Sequence, residues 1–251
     1  MNAPTKTLVV SNPPHGLVDA KRAAPLIDLL PVEMVLKAHY PIPEIWLVRD
    51  DAAAAEASAT ALRDAGLATK AVPAAALGRL PPQSPVEAFS FGQDGLALAL
   101  DEEDVVLPYD LPVIVVACSP RDVPPEPEGT GAWGVFADVY AETRDRVVRV
   151  GVSATTTDFD SLQGTNLAGP SGRLSRFLQE CESRFRRLVV DRRLMHLQLR
   201  RKLLPPPPGV QRKGFAFGTP ALNTLLDGIA PGASALSQCE ISSRIVYLTQ
   251  R

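Results

Sequence analysis

The sequence predicts an α+β protein. A small α/β sandwich domain spans residues 1–78, followed by a linker at 79–86. An antiparallel β-sheet domain closed by a C-terminal amphipathic helix spans 87–190, and an extended tail runs over 191–251. Three observations carry this. Up to Leu77 the apolar residues fall in short runs separated by prolines and alanine-rich helical stretches. From Glu87 they switch to alternation, and between Ser171 and Leu188 they recur at three- and four-residue intervals.

With 251 residues, two compact units with connecting segments are the natural expectation. Hydrophobic residues make up 45% and charged residues 22%, enough apolar material for a core. The net charge of -2 argues against a chain wrapped by nucleic acid along its whole length, because phosphate binding needs clustered cations. Near the N-terminus only Leu8, Val9 and Val10 form an apolar run, too little for a signal-peptide core. No stretch approaches the roughly 18 apolar residues that span a bilayer. A cytoplasmic protein without a transmembrane segment is therefore expected. The cysteines, Cys118, Cys181 and Cys239, are far apart and form no C-x-x-C pair, so they read as small buried hydrophobes.

In the first domain Thr7 to Ser11 reads as a strand, ended by Asn12-Pro13-Pro14-His15-Gly16. Pro25 and Pro31 suit first helical positions and so split the next stretch into two short helices, Leu26 to Leu30 and Val32 to Ala38. Glu44 to Arg49 is a strand with a continuous apolar run. Asp50 or Asp51 caps an alanine-rich helix that Gly66 ends, and Thr69 to Val72 is the last strand. The stretch 42–72, with Arg49-Asp50-Asp51-Ala52, Ala61-Leu62 and Ala65-Gly66 before a strand, resembles the C-terminal domain of the bacterial ribosomal stalk protein. In that family translation factors dock on a Lys- and Gly-rich helical region. Here that region reads Ala24-Pro25-Leu26-Ile27-Asp28, so the resemblance implies the fold and not the docking function.

In the second domain Phe89 to Phe91, a turn at Gln93-Asp94-Gly95, and Leu96 to Leu100 form a hairpin. Val105 to Leu107, Val113 to Ala117, Trp133 to Glu142 and Arg146 to Val152 add strands, with Arg121 to Gly131 as a surface excursion. Leu174, Phe177, Leu178, Cys181, Phe185 and Leu188 share one stripe of a helix from Ser171 to Leu188. Strands followed by one amphipathic helix is the element order of bacterial pleckstrin-homology-like domains, which the stretch 87–190 resembles. In the tail, Pro205 to Pro208 is a polyproline II spacer, and Cys239 to Tyr247 reads as a final strand.

No catalytic constellation emerges. His15, His39 and His196 lie in different segments without carboxylates at metal-ligand spacing, and neither a G-x-S-x-G elbow nor S-x-x-K occurs. Asp50-Asp51 and Asp101 to Asp104 read as a helix cap and a turn. Gly129 to Gly134 precedes a strand and lacks the helix start of a phosphate loop. Gly169 to Arg173 opens a helix and reads as an ordinary helix start. No catalytic residue, metal or cofactor is expected. The most functional-looking feature is a basic stretch: Arg184, Arg187, Arg192, Arg193, Arg200, Arg201 and Lys202, then Arg212 and Lys213. Such stretches meet partners or anions. The leading expectation is a non-enzymatic adaptor, regulatory or structural protein acting through a protein partner or self-association. The alternatives are a peripheral binder of anionic membrane or nucleic acid through 184–213, and a small-molecule-binding enzyme with an interdomain pocket.

Overall fold

The computed structural model describes residues 6–101, 103–118, 135–162, 169–196 and 238–251. These divide into two compact units, one built from the chain up to Leu80 together with the C-terminal segment, the other beginning at Pro81.

The first unit is organised around β1 (Thr7–Ser11), every residue of which is buried. β1 is flanked by β2 (Ile45–Arg49) and β3 (Thr69–Pro73), both antiparallel to it. Strand alternation sends Leu8 and Val10 to one face and Val9 to the other. Behind Val9 and Trp46 lie the helices: α1 (Ala20–Ala23) running into a 3-10 turn (Ala24–Ile27), α2 (Pro31–Ala38) and α3 (Ala52–Asp64). They bury Ala23, Ala24, Ile27, Met34, Ala55, Ala59 and Leu62 against the sheet. On the opposite face Leu8, Val10, Ile45 and Val72 are covered by α4 (Ala74–Arg79) and by α6 (Gln238–Gln250), through Ala74, Leu77, Ile241 and Ile245. The unit is thus a helix–sheet–helix sandwich.

Local chemistry sets the element ends. Asp19 accepts the Arg22 amide at 3.1 Å at the start of α1, and Asp51 accepts the Ala54 amide at 2.7 Å at the start of α3. Pro31 occupies the first turn of α2, where Glu33 accepts the Leu30 amide at 3.0 Å. Gly66 ends α3 with φ +89°, and a Cβ there would sit 2.0 Å from the Leu17 carbonyl oxygen, so only glycine fits.

Three expectations for this unit are corrected. The first short helix is not at Leu26 to Leu30 but earlier, as α1 (Ala20–Ala23) and its 3-10 turn (Ala24–Ile27), which Asp28 ends in the left-handed conformation at φ 55°. A helix, α4, follows β3 directly, so the link to the next unit is shorter than 79–86. Cys239 to Tyr247 is not a strand but part of α6. Its contiguous Ile245-Val246-Tyr247 run suits either element, and the core contacts of Ile241 and Ile245, four residues apart, select the helix. The C-terminal segment therefore belongs to the core of the first unit.

The second unit is a seven-stranded sheet. β4 (Ser84–Phe91), β5 (Gly95–Leu100) and β6 (Val105–Pro108) form one antiparallel meander; β7 (Pro112–Cys118), β8 (Phe136–Glu142) and β9 (Val147–Ser153) form a second. α5 (Gly169–Arg184) lays Leu174, Phe177, Leu178 and Cys181 on the sheet face that carries Phe89, Leu96, Leu98, Val113, Val115, Val139 and Val150. Both meanders are antiparallel, as expected, and parallel pairs added to them make the full sheet mixed. β4 and β9 join the meanders in parallel, and β10 (Arg187–Asp191) pairs in parallel with β7 to give the order β10-β7-β8-β9-β4-β5-β6. The helix also ends at Arg184, short of the expected Leu188. Leu188 keeps the helical spacing from Phe185, but Leu188-Val189-Val190 is a β-prone run, and Leu188 and Val190 pack on the core from a strand.

Candidate interaction surfaces

The basic stretch is less cationic than its sequence suggests. Arg184, at the end of α5, pairs with Glu180 at 3.2 Å and lies over the Phe91 ring at 5.2 Å; the Glu180 hydrogen bond raises its pKa. Arg192 pairs with Glu182 at 2.8 Å, and Arg193 donates from Nε to both Asp191 oxygens, at 3.0 and 2.8 Å. Among the described residues Arg187, at the head of β10, and its neighbour Arg186 pair with no carboxylate, and both are exposed. Arg200, Arg201, Lys202, Arg212 and Lys213 lie outside the described residues. Of the predicted site, Arg184, Arg187, Arg192 and Arg193 lie on β10 or flank it, three of them neutralised by carboxylates two to ten residues away.

The face of the second sheet away from α5 holds a buried polar network. Asp138 on β8 and Arg149 on β9 both have fully buried side chains, and Arg149 donates to Asp138 through Nε at 3.1 Å and Nη2 at 2.8 Å. The Tyr140 hydroxyl donates to Asp138 at 2.9 Å, and the Tyr140 ring lies 5.4 Å from the Arg149 guanidinium carbon. The Gln83 amide donates to Asp138 at 3.2 Å. Gly151, opposite Asp138 in the β8–β9 register, makes room for the Gln83 side chain, since a Cβ there would lie 2.5 Å from the Gln83 amide carbon. Desolvating two charges is costly unless they are paired and hydrogen-bonded, and here both conditions are met. Sequence reasoning missed this pair; its only signal was a charged residue in the middle of each of two largely apolar strands.

A third feature, also missed, is apolar and exposed. Eight large hydrophobic side chains are exposed among the described residues, and six of them fall between Leu17 and Leu36. On α2, Met34 points into the core, while Val32, Val35 and Leu36 are 63%, 43% and 58% exposed. Their spacing of three and four residues aligns them in one outward stripe. Leu26 and Leu30 continue it toward the preceding turn. The helix beneath is held firmly: Lys37 reaches Glu44 at 2.7 Å, and Glu44 also accepts the Trp46 indole N–H at 3.3 Å. The signal for this stripe was present in the sequence, because Val32, Met34, Val35 and Leu36 cover more of a helix than one buried face accommodates.

The remaining candidates are structural. His15 Nδ1 accepts the Ala68 amide at 3.0 Å, and its ring stacks obliquely on Trp46 with centroids 5.5 Å apart; burial lowers its pKa. His39 is the C-cap of α2 and donates from Nδ1 to the Val35 carbonyl at 2.7 Å. His196 closes a 3-10 turn from Arg193. Cys118 and Cys181 are buried, and burial between Glu180 and Glu182 pushes the Cys181 pKa up strongly. Asp50 meets Lys6 at 3.6 Å. The glycine-rich stretch 129–134 lies outside the described residues. Gly169 begins α5 with φ +71°, which glycine tolerates. Among the described residues no three His, Cys, Asp or Glu are grouped to hold a metal, and none of the helices they form is long and apolar enough to cross a membrane.

No protein-family model, no curated protein and no solved structure matches this chain.

Proposed function

We propose that the protein is a non-enzymatic adaptor that acts by docking a protein partner on α2. The observation that carries this reading is the outward stripe of Val32, Val35 and Leu36 on a helix already anchored by Met34 and Lys37. Single exposed hydrophobics are ordinary, whereas a run of them at helical spacing is the pattern that grooves and helices of partners recognise. Completing the burial of these side chains would contribute on the order of 3 kcal/mol. The stripe is therefore the anchor of a larger contact, which Leu26 and Leu30 extend.

Two finer readings accompany this one. The pleckstrin-homology-like reading of 87–190 is supported by strands followed by the amphipathic helix α5, with β10 as a departure from that order. The stalk-protein resemblance of 42–72 is supported by the strand–helix–strand order of β2, α3 and β3. A cytoplasmic site of action suits the free thiol of Cys181.

The test is photo-crosslinking in native lysate from a benzoyl-phenylalanine placed at Leu36, with the same group on an exposed residue of the second unit as control. One recurrent cross-linked protein, lost when Val32→Asp is added to a chain of unchanged circular dichroism, is expected. If the Leu36 probe captures nothing beyond the control, or Val32→Asp changes nothing, the reading fails.

A further inference from the structure

The second unit ends its sheet at β10, and we infer that this edge accepts an extended acidic segment of a partner protein as an added strand. β10 pairs with β7 on one side and is the terminal strand of the order β10-β7-β8-β9-β4-β5-β6. An edge strand presents a row of backbone N–H and C=O groups to any chain that can lie alongside it. Over its five residues Leu188 and Val190 turn toward the core, while Arg187 and Val189 are exposed, Val189 by 41%.

Charge decides which chain would lie there. Of the described arginines around the strand, Arg184, Arg192 and Arg193 are each matched by Glu180, Glu182 and Asp191. Arg186 and Arg187 are not matched, and they stand side by side where β10 begins. The opposite edge, β6, is shorter and ends in Pro108, which has no N–H to offer an incoming strand. The cationic surplus and the open edge therefore coincide at β10. An incoming strand of alternating apolar and acidic residues would place its carboxylates on the exposed face that carries Arg187 and its apolar side chains on the face of Leu188 and Val190.

This surface lies on a different unit from the α2 stripe, and Val32→Asp leaves it intact, so the two proposals fail separately. The probe is a fluorescent peptide of alternating valine and glutamate, titrated into the full-length chain by anisotropy, with a valine–lysine peptide as control. The acidic peptide should bind, weaken as salt is raised, and slow amide exchange at residues 187–190. Arg186→Gln with Arg187→Gln should weaken it by about tenfold, while Arg187→Lys retains most of the affinity. Equal binding of both peptides, no binding, affinity unchanged by the double substitution in a folded chain, or protection elsewhere than 187–190 would each overturn the inference. An edge whose arginines serve to repel incoming strands would give the no-binding result. A self-association that the acidic peptide fails to displace would likewise reject it in favour of a second copy.

Discussion

Arg244 of the C-terminal helix caps α4 through Leu77: its Nη1 donates to the Leu77 carbonyl at 2.6 Å and to the Leu80 carbonyl at 2.9 Å. Helix ends leave carbonyls without partners, and here a guanidinium from a segment far along the chain supplies them. Arg244 is 3% exposed, so water cannot replace it once it is truncated. Charge-assisted hydrogen bonds contribute roughly 1.5–3 kcal/mol each. Arg244→Ala should therefore lower unfolding stability by about 3 kcal/mol, read from the denaturant midpoint of the full chain. A loss below about 0.5 kcal/mol would mean that Ile241 and Ile245 alone dock the helix.

That relationship marks where the sequence was legible and where it was not. Strands β1 to β9, the helix that begins at Pro31 and the Asp51 cap followed from proline, capping and alternation, all of which act within a few residues, whereas the first short helix was expected at Leu26 to Leu30 and lies earlier. The identity of α6 did not, because Ile245-Val246-Tyr247 satisfies either period and the deciding partners, Leu8, Val72 and Leu77, are distant in sequence. β10 was absorbed into the preceding helix because Leu188 keeps the spacing set by Phe185. Among functional candidates the basic stretch was legible as charge, yet its neutralisation by Glu180, Glu182 and Asp191 required the turn from α5 into β10. The stripe on α2 was hidden in plain composition, since which of four apolar residues turns outward depends on the sheet beneath.

The Asp138–Arg149 pair makes a prediction of unequal effects. Removing one partner leaves the other charged and buried, which costs about 3–5 kcal/mol. Arg149→Met and Asp138→Asn should each destabilise the second unit by about that amount. Combined, they should cost clearly less than the sum of the two, because the double variant strands no charge. A double-mutant cycle by chemical denaturation measures this, and strict additivity would mean the two side chains do not depend on each other.

His15 predicts a direction of pH dependence. Its Nδ1 accepts the Ala68 amide, so the folded state favours the neutral ring, and burial lowers its pKa below the ordinary 6.5. Above that value both folded and unfolded chains hold the ring neutral, and His15 contributes no slope. As the pH falls below it, the unfolded chain takes up the proton first, so stability declines until the folded pKa is passed. His15→Gln offers an acceptor that does not titrate. Between about pH 7.5 and about pH 5.5 the parent should lose more stability than the variant, and equal losses in the two would refute the linkage.

The cysteines give a prediction about accessibility. Cys118 is buried, and Cys181 is buried on the core side of α5 between two glutamates, which together disfavour its thiolate. The thiolate is the reactive form, so neither group should react with an aromatic disulfide reagent at neutral pH while the chain is folded. In a Cys239→Ser background, labelling should be negligible without denaturant and should rise with the unfolding transition. The second unit holds both thiols, so the labelling curve follows its unfolding specifically. Rapid reaction of either thiol in the native chain would show that α5 opens from the sheet on the timescale of the assay, contrary to the packing of Phe177 and Cys181 against Phe89 and Val139.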